Sequence, residues 1–227
     1  MMMRFPIVAC ILLALAAPVF AQESPSLSAS LGINYWWANW DQDNVDDSSG
    51  SLLGPKVGLA YGRFSFGVVY LAGSFDLDFR GGTTAEADRQ DLDIIVQYAI
   101  FDYLSAGIGY KRLSYDYKTK TGVKAESTMT GFALGVSGSY PIGQTGLLAY
   151  AAASFLPSVN YDDTFITPSE KVTTSDTATG INIEAGLSYM FPQFPLAIDL
   201  AYRHQNIDKD VNSDTFSGPA IEVSYSF

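Results

Sequence analysis

Of the side chains most used for thiol chemistry and transition-metal ligation, this 227-residue chain carries one cysteine and one histidine. The cysteine, Cys10, falls in an N-terminal stretch that reads as a cleavable export signal. Arg4 supplies the positive charge, residues 7–17 form an apolar run, and Val19 and Ala21 are small side chains placed for cleavage before Gln22. Ile7-Val8-Ala9-Cys10 has the outline of a lipoprotein cleavage box, but the apolar run continues through Ile11-Leu12-Leu13, which favours an ordinary signal-core cysteine. The expected division is therefore a signal at 1–21 and one folded domain at 22–227. Such a processed chain has no cysteine, which excludes a disulfide framework and a thiol nucleophile.

Basic charge is scarce as well: 13 Lys and Arg stand against 24 Asp and Glu, for a net charge of -11. Nucleic-acid binding, which requires a basic footprint, is excluded as a partner class. After the signal there is no apolar run near the ~20 residues that a transmembrane helix needs. Yet 48% of the residues are hydrophobic.

Alternation resolves that conflict. In the last segment Ile221, Val223, Tyr225 and Phe227 share one face and Glu222, Ser224 and Ser226 the other, the apolar-out, polar-in pattern of a strand embedded in lipid. Short turns occur at Tyr61-Gly62-Arg63, Phe101-Asp102-Tyr103, Pro141-Ile142-Gly143-Gln144 and Pro192-Gln193-Phe194. Between them lie longer polar stretches at 41–50, 80–88, 118–126, 161–176 and 208–214, rich in Asp, Ser, Thr and Gly. Five long loops imply ten strands. The expected fold is all-β, an antiparallel up-and-down transmembrane β-barrel of about ten strands, at 26–40, 51–62, 64–79, 89–101, 104–117, 128–140, 146–159, 177–191, 196–206 and 216–227.

Aromatics bunch at strand ends, where two interfacial belts are expected. Tyr61, Phe64, Phe101, Tyr103, Tyr140, Phe191, Phe194 and Phe227 mark the turn side. Tyr35, Trp36, Trp37, Trp40, Tyr115, Tyr117 and Tyr161 mark the loop side.

Register follows from cost, since Arg or Lys on the lipid face at mid-depth costs about 2–4 kcal/mol and Asp or Glu somewhat less. Leu92, Ile94, Val96, Tyr98 and Ile100 are thus expected to face lipid, which turns Asp91, Asp93 and Gln97 inward. The same reasoning sends Lys56, Lys111, Asn182, Glu184, Asp199, Arg203 and Glu222 into the lumen. Counting residues along tilted strands puts Asp93 level with Lys111 and Glu184 level with Arg203. Glu222 is level with Lys56 across the first strand, and Asp199 lies slightly lower beside Glu222. Opposite charges at equal height are expected to pair and narrow the lumen. Small side chains along the expected interior, among them Ser28, Ser30, Gly32, Gly58, Ala133, Gly135 and Gly186, leave room for water.

Two strands resist one register. In the third, Phe64, Phe66, Val68 and Tyr70 share a face, but Phe75, Leu77 and Phe79 fall on the other parity, so either a β-bulge near residues 71–74 or an exit from the membrane is expected. The seventh has no clear phase.

The export signal, repeated hairpins, aromatic clusters and terminal Phe227 resemble the small outer-membrane barrels of Gram-negative bacteria, the OmpA-like and porin-like group. That resemblance spans the processed chain and implies the bacterial outer membrane, assembly by the outer-membrane machinery, contact with lipid and lipopolysaccharide, and no cofactor. It carries over no site residues. Enzymatic barrels are the sharper alternative. Lipid A deacylases and outer-membrane phospholipases pair a histidine with a serine two positions later, where His204 is followed by Asn206. Omptin proteases place an Asp two positions before the histidine, where this chain has Tyr202, although Asp76-Leu77-Asp78 resembles their carboxylate pair. By parity His204 faces outward. No catalytic or metal site is expected: Asp41, Asp43, Asp46 and Asp47 form an acidic loop without the glycine turn and distal Glu of a calcium loop. Two readings remain, a sealed barrel with a structural or surface-interaction role, for an extracellular partner the sequence does not name, and a narrow channel for small polar solutes.

Overall fold

The computed structural model describes residues 27–42, 45–79, 83–119, 122–167, 169–209 and 213–227, and in it ten antiparallel strands close into a barrel. The strands are β1 (Leu27–Asp41), β2 (Val45–Tyr61), β3 (Phe64–Phe79), β4 (Thr83–Phe101), β5 (Leu104–Thr119), β6 (Lys124–Pro141), β7 (Leu147–Ile166), β8 (Lys171–Met190), β9 (Leu196–Asp208) and β10 (Ser213–Ser226). Each pairs with its sequence neighbours, and β1 closes on β10. The last residue takes part in the seam: the Phe227 N–H donates to the Ala29 carbonyl at 2.8 Å. Closure leaves no free edge where the wall meets lipid, the condition for strands to cross hydrocarbon. The proposed signal lies outside the described residues.

On the turn side the connections are short. Gly62-Arg63 alone joins β2 to β3, and Gly62 sits at φ 59°, a left-handed value that suits the tight hairpin turns matching strand twist. On the loop side the strands run well past the expected ends. Much of what reads as loop at 41–50, 80–88, 118–126 and 161–176 is strand, since β2 starts at Val45, β4 at Thr83, β6 at Lys124, and β7 and β8 meet across only 167–170. Their Thr, Ser and Asp content belongs to strands standing in water, not to irregular chain. We call this extension the crown.

In the crown the binary pattern inverts. Along β3, Phe64, Phe66 and Tyr70 are exposed on the outer face, whereas Leu71, Phe75 and Leu77 are buried inside and Asp76 and Asp78 point out. The β3–β4 register is unbroken from Phe64↔Tyr98 to Phe79↔Thr83, so no bulge exists at residues 71–74. The strand simply leaves the apolar surroundings, after which the apolar residues are driven inward. A true register shift occurs in β7 instead, between Leu156 and Val159 against β8 and opposite Phe132 and Leu134 on β6. The extra residue falls at Pro157-Ser158, where a proline lacking its N–H is best tolerated. It explains the missing phase: Ala152, Ser154 and Leu156 point inward below the bulge and Val159 and Tyr161 above it.

The inversion also corrects the loop-side belt. Trp36, Trp40, Tyr115 and Tyr161 are buried in the barrel and Tyr117 packs against that core, leaving Tyr35 and Trp37 of the seven on the outer face. The turn-side aromatics are placed as interface residues should be, with Tyr61, Phe64, Tyr103, Tyr140, Phe194 and Phe227 all exposed.

Candidate functional site: the lumen and its plug

All ten strands contribute a buried apolar side chain to one core across the barrel: Trp36, Leu52, Leu71, Ala87, Leu113, Met129, Leu156, Ala178, Ile207 and Phe216, in strand order. Phe75 joins them, and Trp40 packs on Phe75, Tyr115 and Phe216 with ring centroids 4.9–5.9 Å apart. Leu52, Leu113 and Phe216 are 0% exposed. These side chains form an apolar plug across the barrel, closed to outside solvent.

Beneath the plug lies an ionic layer built from the charges that alternation sends inward. Lys111 Nζ is 2.8 Å from Asp93 Oδ1 and 3.7 Å from Asp91. Arg203 Nε donates to Glu184 Oε2 at 2.7 Å, and the Tyr150 hydroxyl donates to Glu184 Oε1. Lys56 Nζ reaches Glu222 Oε1 at 2.8 Å across β1, whose Asn34 also donates to Glu222. Asp199 stands opposite Glu222 on β10 and Ser188 on β8. It sits on the same face of β9 as Arg203. Gln97 donates to Ser137, and Asn182 to Ser154.

Arg89 is the residue that sequence reading missed, although it is the first residue of the expected fourth strand. Its guanidinium donates twice to Asp91, at 2.9 and 2.7 Å, and once to Gln205 at 2.9 Å. The Phe216 ring centroid lies 3.6 Å from its Cζ, so the cation is held between a carboxylate and an aromatic face. The signal was present: Arg89 and Asp91 share strand parity, and Asp91 already faces inward. A second polar layer above the plug was hidden in the stretch 208–214. There Lys209 Nζ meets Asp214 Oδ2 at 2.9 Å, Trp40 Nε1 donates to Asp214 at 3.1 Å, and Lys209 is 5.2 Å from the Tyr161 ring.

Below the ionic layer the interior is open. A cavity of about 480 Å³ is lined by Ser28, Ser30, Gly58, Gly107, Gly135, Ser154 and other small residues, and ends at Trp36, Gln205 and the charge pairs. The lumen is thus a cup of small side chains, open on the turn side and capped by ions and then by apolar side chains.

His204 does not meet a carboxylate. It lies on the outer face of β9, opposite Ser217 and Ile183, while Asp76 and Asp78 point outward from β3 on the far side of the barrel. Of the acidic loop, Asp43 lies outside the described residues. Among the described residues no three His, Cys, Asp or Glu side chains gather as metal ligands.

A family model described as Outer membrane protein beta-barrel domain matches residues 7–227. No curated protein matches the chain by sequence. Among solved structures the barrel is similar to the outer membrane protease OmpT of Escherichia coli, at 9% identity and a TM-score of 0.61, covering 91% of this chain and 99% of that one. It is also similar to the translocator domain of the autotransporter NalP of Neisseria meningitidis, at 11% identity and a TM-score of 0.54, covering 91% and 90%. At such identities the likeness extends to the fold alone.

Proposed function

We propose that this chain, which belongs to the outer-membrane β-barrel domain family, is a sealed barrel with a structural and surface-interaction role, its work done by the crown and not by transport through the lumen. The chain resides in the bacterial outer membrane, with the turn side facing the periplasm and the crown outside the cell, where short turns and long strands respectively belong. The observation that carries the reading is the plug: buried apolar side chains from every strand fill the section where a solute would have to pass. The paired layer under it adds a second barrier, since Lys56, Lys111 and Arg203 are each held by a carboxylate and gain little from a passing solute.

The runner-up is a narrow route for small polar solutes, and the periplasm-open cavity favours it. Single-channel recording in planar bilayers separates the two. Silence is expected at moderate voltage; steady unitary conductance from the unaltered chain overturns the sealed reading. We propose no catalytic role, because the one histidine is turned outward and apart from the Asp76 and Asp78 carboxylates. Outward rings at the turn side, and outward Arg112 near the base of the crown, suit contact with lipid and lipopolysaccharide, and the alternating terminal strand suits recognition by the assembly machinery.

A further inference from the structure

The polar layer above the plug sets an amine and a carboxyl group side by side as reactants. Asp214 is opposite Ile207 on β9, and Lys209 is the next buried residue on the same face, two positions on. That diagonal placement brings Lys209 Nζ to 2.9 Å from Asp214 Oδ2, with the two side chains 4% and 0% exposed. Tyr161 and Tyr115 flank the ammonium, their ring centroids 5.2 and 5.9 Å from Nζ, and Trp40 packs on Tyr115 and Phe216. In such surroundings two charges are costly to keep. The amine and acid made by one proton transfer between them are neutral.

The other parts of an acyl transfer are in place. The Trp40 indole N–H donates to Asp214 Oδ1 at 3.1 Å, where negative charge collects when Cγ is attacked. Asp163 Oδ2 stands 3.7 Å from Lys209 Nζ as a second carboxylate able to carry a proton, and the Ser127 hydroxyl holds its other oxygen. The Tyr115 hydroxyl lies 3.4 Å from Asp214 Oδ2 and stays a donor, since burial and then the Asp214 charge push it well above a phenol's ordinary value.

We infer that Lys209 and Asp214 condense in the folded chain to an intramolecular amide, an isopeptide bond that staples β9 to β10 above the plug, with Asp163 as the proton carrier. One proton moves from Nζ to Asp214 Oδ2, leaving a neutral amine and acid. The Nζ lone pair bonds to Cγ, and the C=O electron pair moves onto Oδ1 under the Trp40 N–H. Asp163 takes a second proton from Nζ and delivers it to Oδ2; the Cγ–Oδ2 bond breaks, the carbonyl reforms and one water leaves. The third Nζ hydrogen remains as the amide N–H, so the step needs no oxidant, reductant or cofactor. Reactants fixed in this way reach effective concentrations of about 10⁵–10⁸ M. Lys111 is the contrast. It too meets two carboxylates, Asp93 at 2.8 Å and Asp91 at 3.7 Å, but the Asp93 side chain is 30% exposed and lines the open cup. Water there stabilises the ions and opposes condensation. The bond goes beyond the sealed-barrel reading and stands whether or not the lumen conducts.

Mass spectrometry of the processed chain recovered from membranes is the test. The intact mass should lie one water below that of the sequence, and Lys209 should resist trypsin, so that residues 204–227 appear as one peptide that has lost one water. Chain kept unfolded in urea should have the full mass and be cut after Lys209, and should lose the water on refolding into detergent micelles. Asp163→Asn should slow that loss at least tenfold, while Lys209→Arg keeps the charge pair and the heat-modifiable compact band and loses nothing. Three results overturn the inference: full mass in a chain whose compact band shows that it is folded; loss of water with normal cleavage after Lys209, which marks dehydration of a single aspartate; and loss by Asp163→Asn at the unaltered rate.

Discussion

Replacing Phe216 by Ala puts the plug to its most direct test. Phe216 is fully buried, lies against Trp40 at 5.1 Å and Phe75 at 6.0 Å between ring centroids, and carries Arg89 3.6 Å from its own centroid. Truncating a core Phe to Ala costs about 3–5 kcal/mol, from lost transfer energy and the cavity left behind. The Arg89 guanidinium also loses an aromatic face that a desolvated cation values at about 2 kcal/mol. The two overlap, so a total of about 4–6 kcal/mol is expected. Denaturant unfolding in vesicles reads it through Trp36 and Trp40, which are buried in the plug. The void also breaches the apolar section and leaves the paired layer as the main remaining barrier, so Phe216→Ala should show brief openings under voltage where the unaltered chain is silent. Phe216→Leu, which keeps most of the fill but not the ring, should lose only about 1–2 kcal/mol and stay silent. A silent Phe216→Ala variant destabilised by less than about 1 kcal/mol would refute the claim that this core closes the barrel.

Arg89→Ala leaves Asp91 buried without its main partner and should cost about 3–5 kcal/mol, whereas the double change Arg89→Met with Asp91→Leu should be close to neutral by the same unfolding assay. A double-mutant cycle on Glu184 and Arg203, joined at 2.7 Å, should give a coupling of about 1.5–3 kcal/mol, and a value near zero would mean that water, not pairing, satisfies them. Deleting Ser158 removes the extra residue of β7 and leaves Val159 two positions after Leu156 on the same inward face, so the heat-modifiable compact band on gels should persist; its loss would show that the bulge does more than set the register. Asp116 lies directly opposite Asp88 on β4 and Glu126 on β6, so Asp116→Asn should raise stability by about 0.2–1 kcal/mol, detectable as a higher midpoint; a lower one would mean the carboxylates are held by something attractive.

The ten strands, their antiparallel order and the inward direction of the lumen charges were legible because one constraint governs the lower barrel: a charge on the lipid face is expensive, so parity alone decides where each side chain points. Lys56, Lys111, Glu184, Arg203 and Glu222 follow from it directly. The crown obeys the opposite constraint. Once a strand stands in water, its apolar parity belongs inside, and Trp36, Trp40, Tyr115 and Tyr161 change from belt residues to core without any change in backbone register. Neither composition nor alternation marks the height at which one rule replaces the other, because the strand itself is continuous there. The β3 sequence does carry the mark, in the switch from Phe64, Phe66 and Tyr70 to Leu71, Phe75 and Leu77. The polar stretches conceal the same event, since Thr, Ser and Asp suit the outer face of a solvated strand as well as they suit a loop. Lys209 and Asp214 were lost with them, and Arg89 was passed over at the first position of its expected strand. A phase inversion without a bulge is therefore the sequence sign of a barrel wall that outgrows its membrane. The apolar residues after the inversion are those that close the lumen.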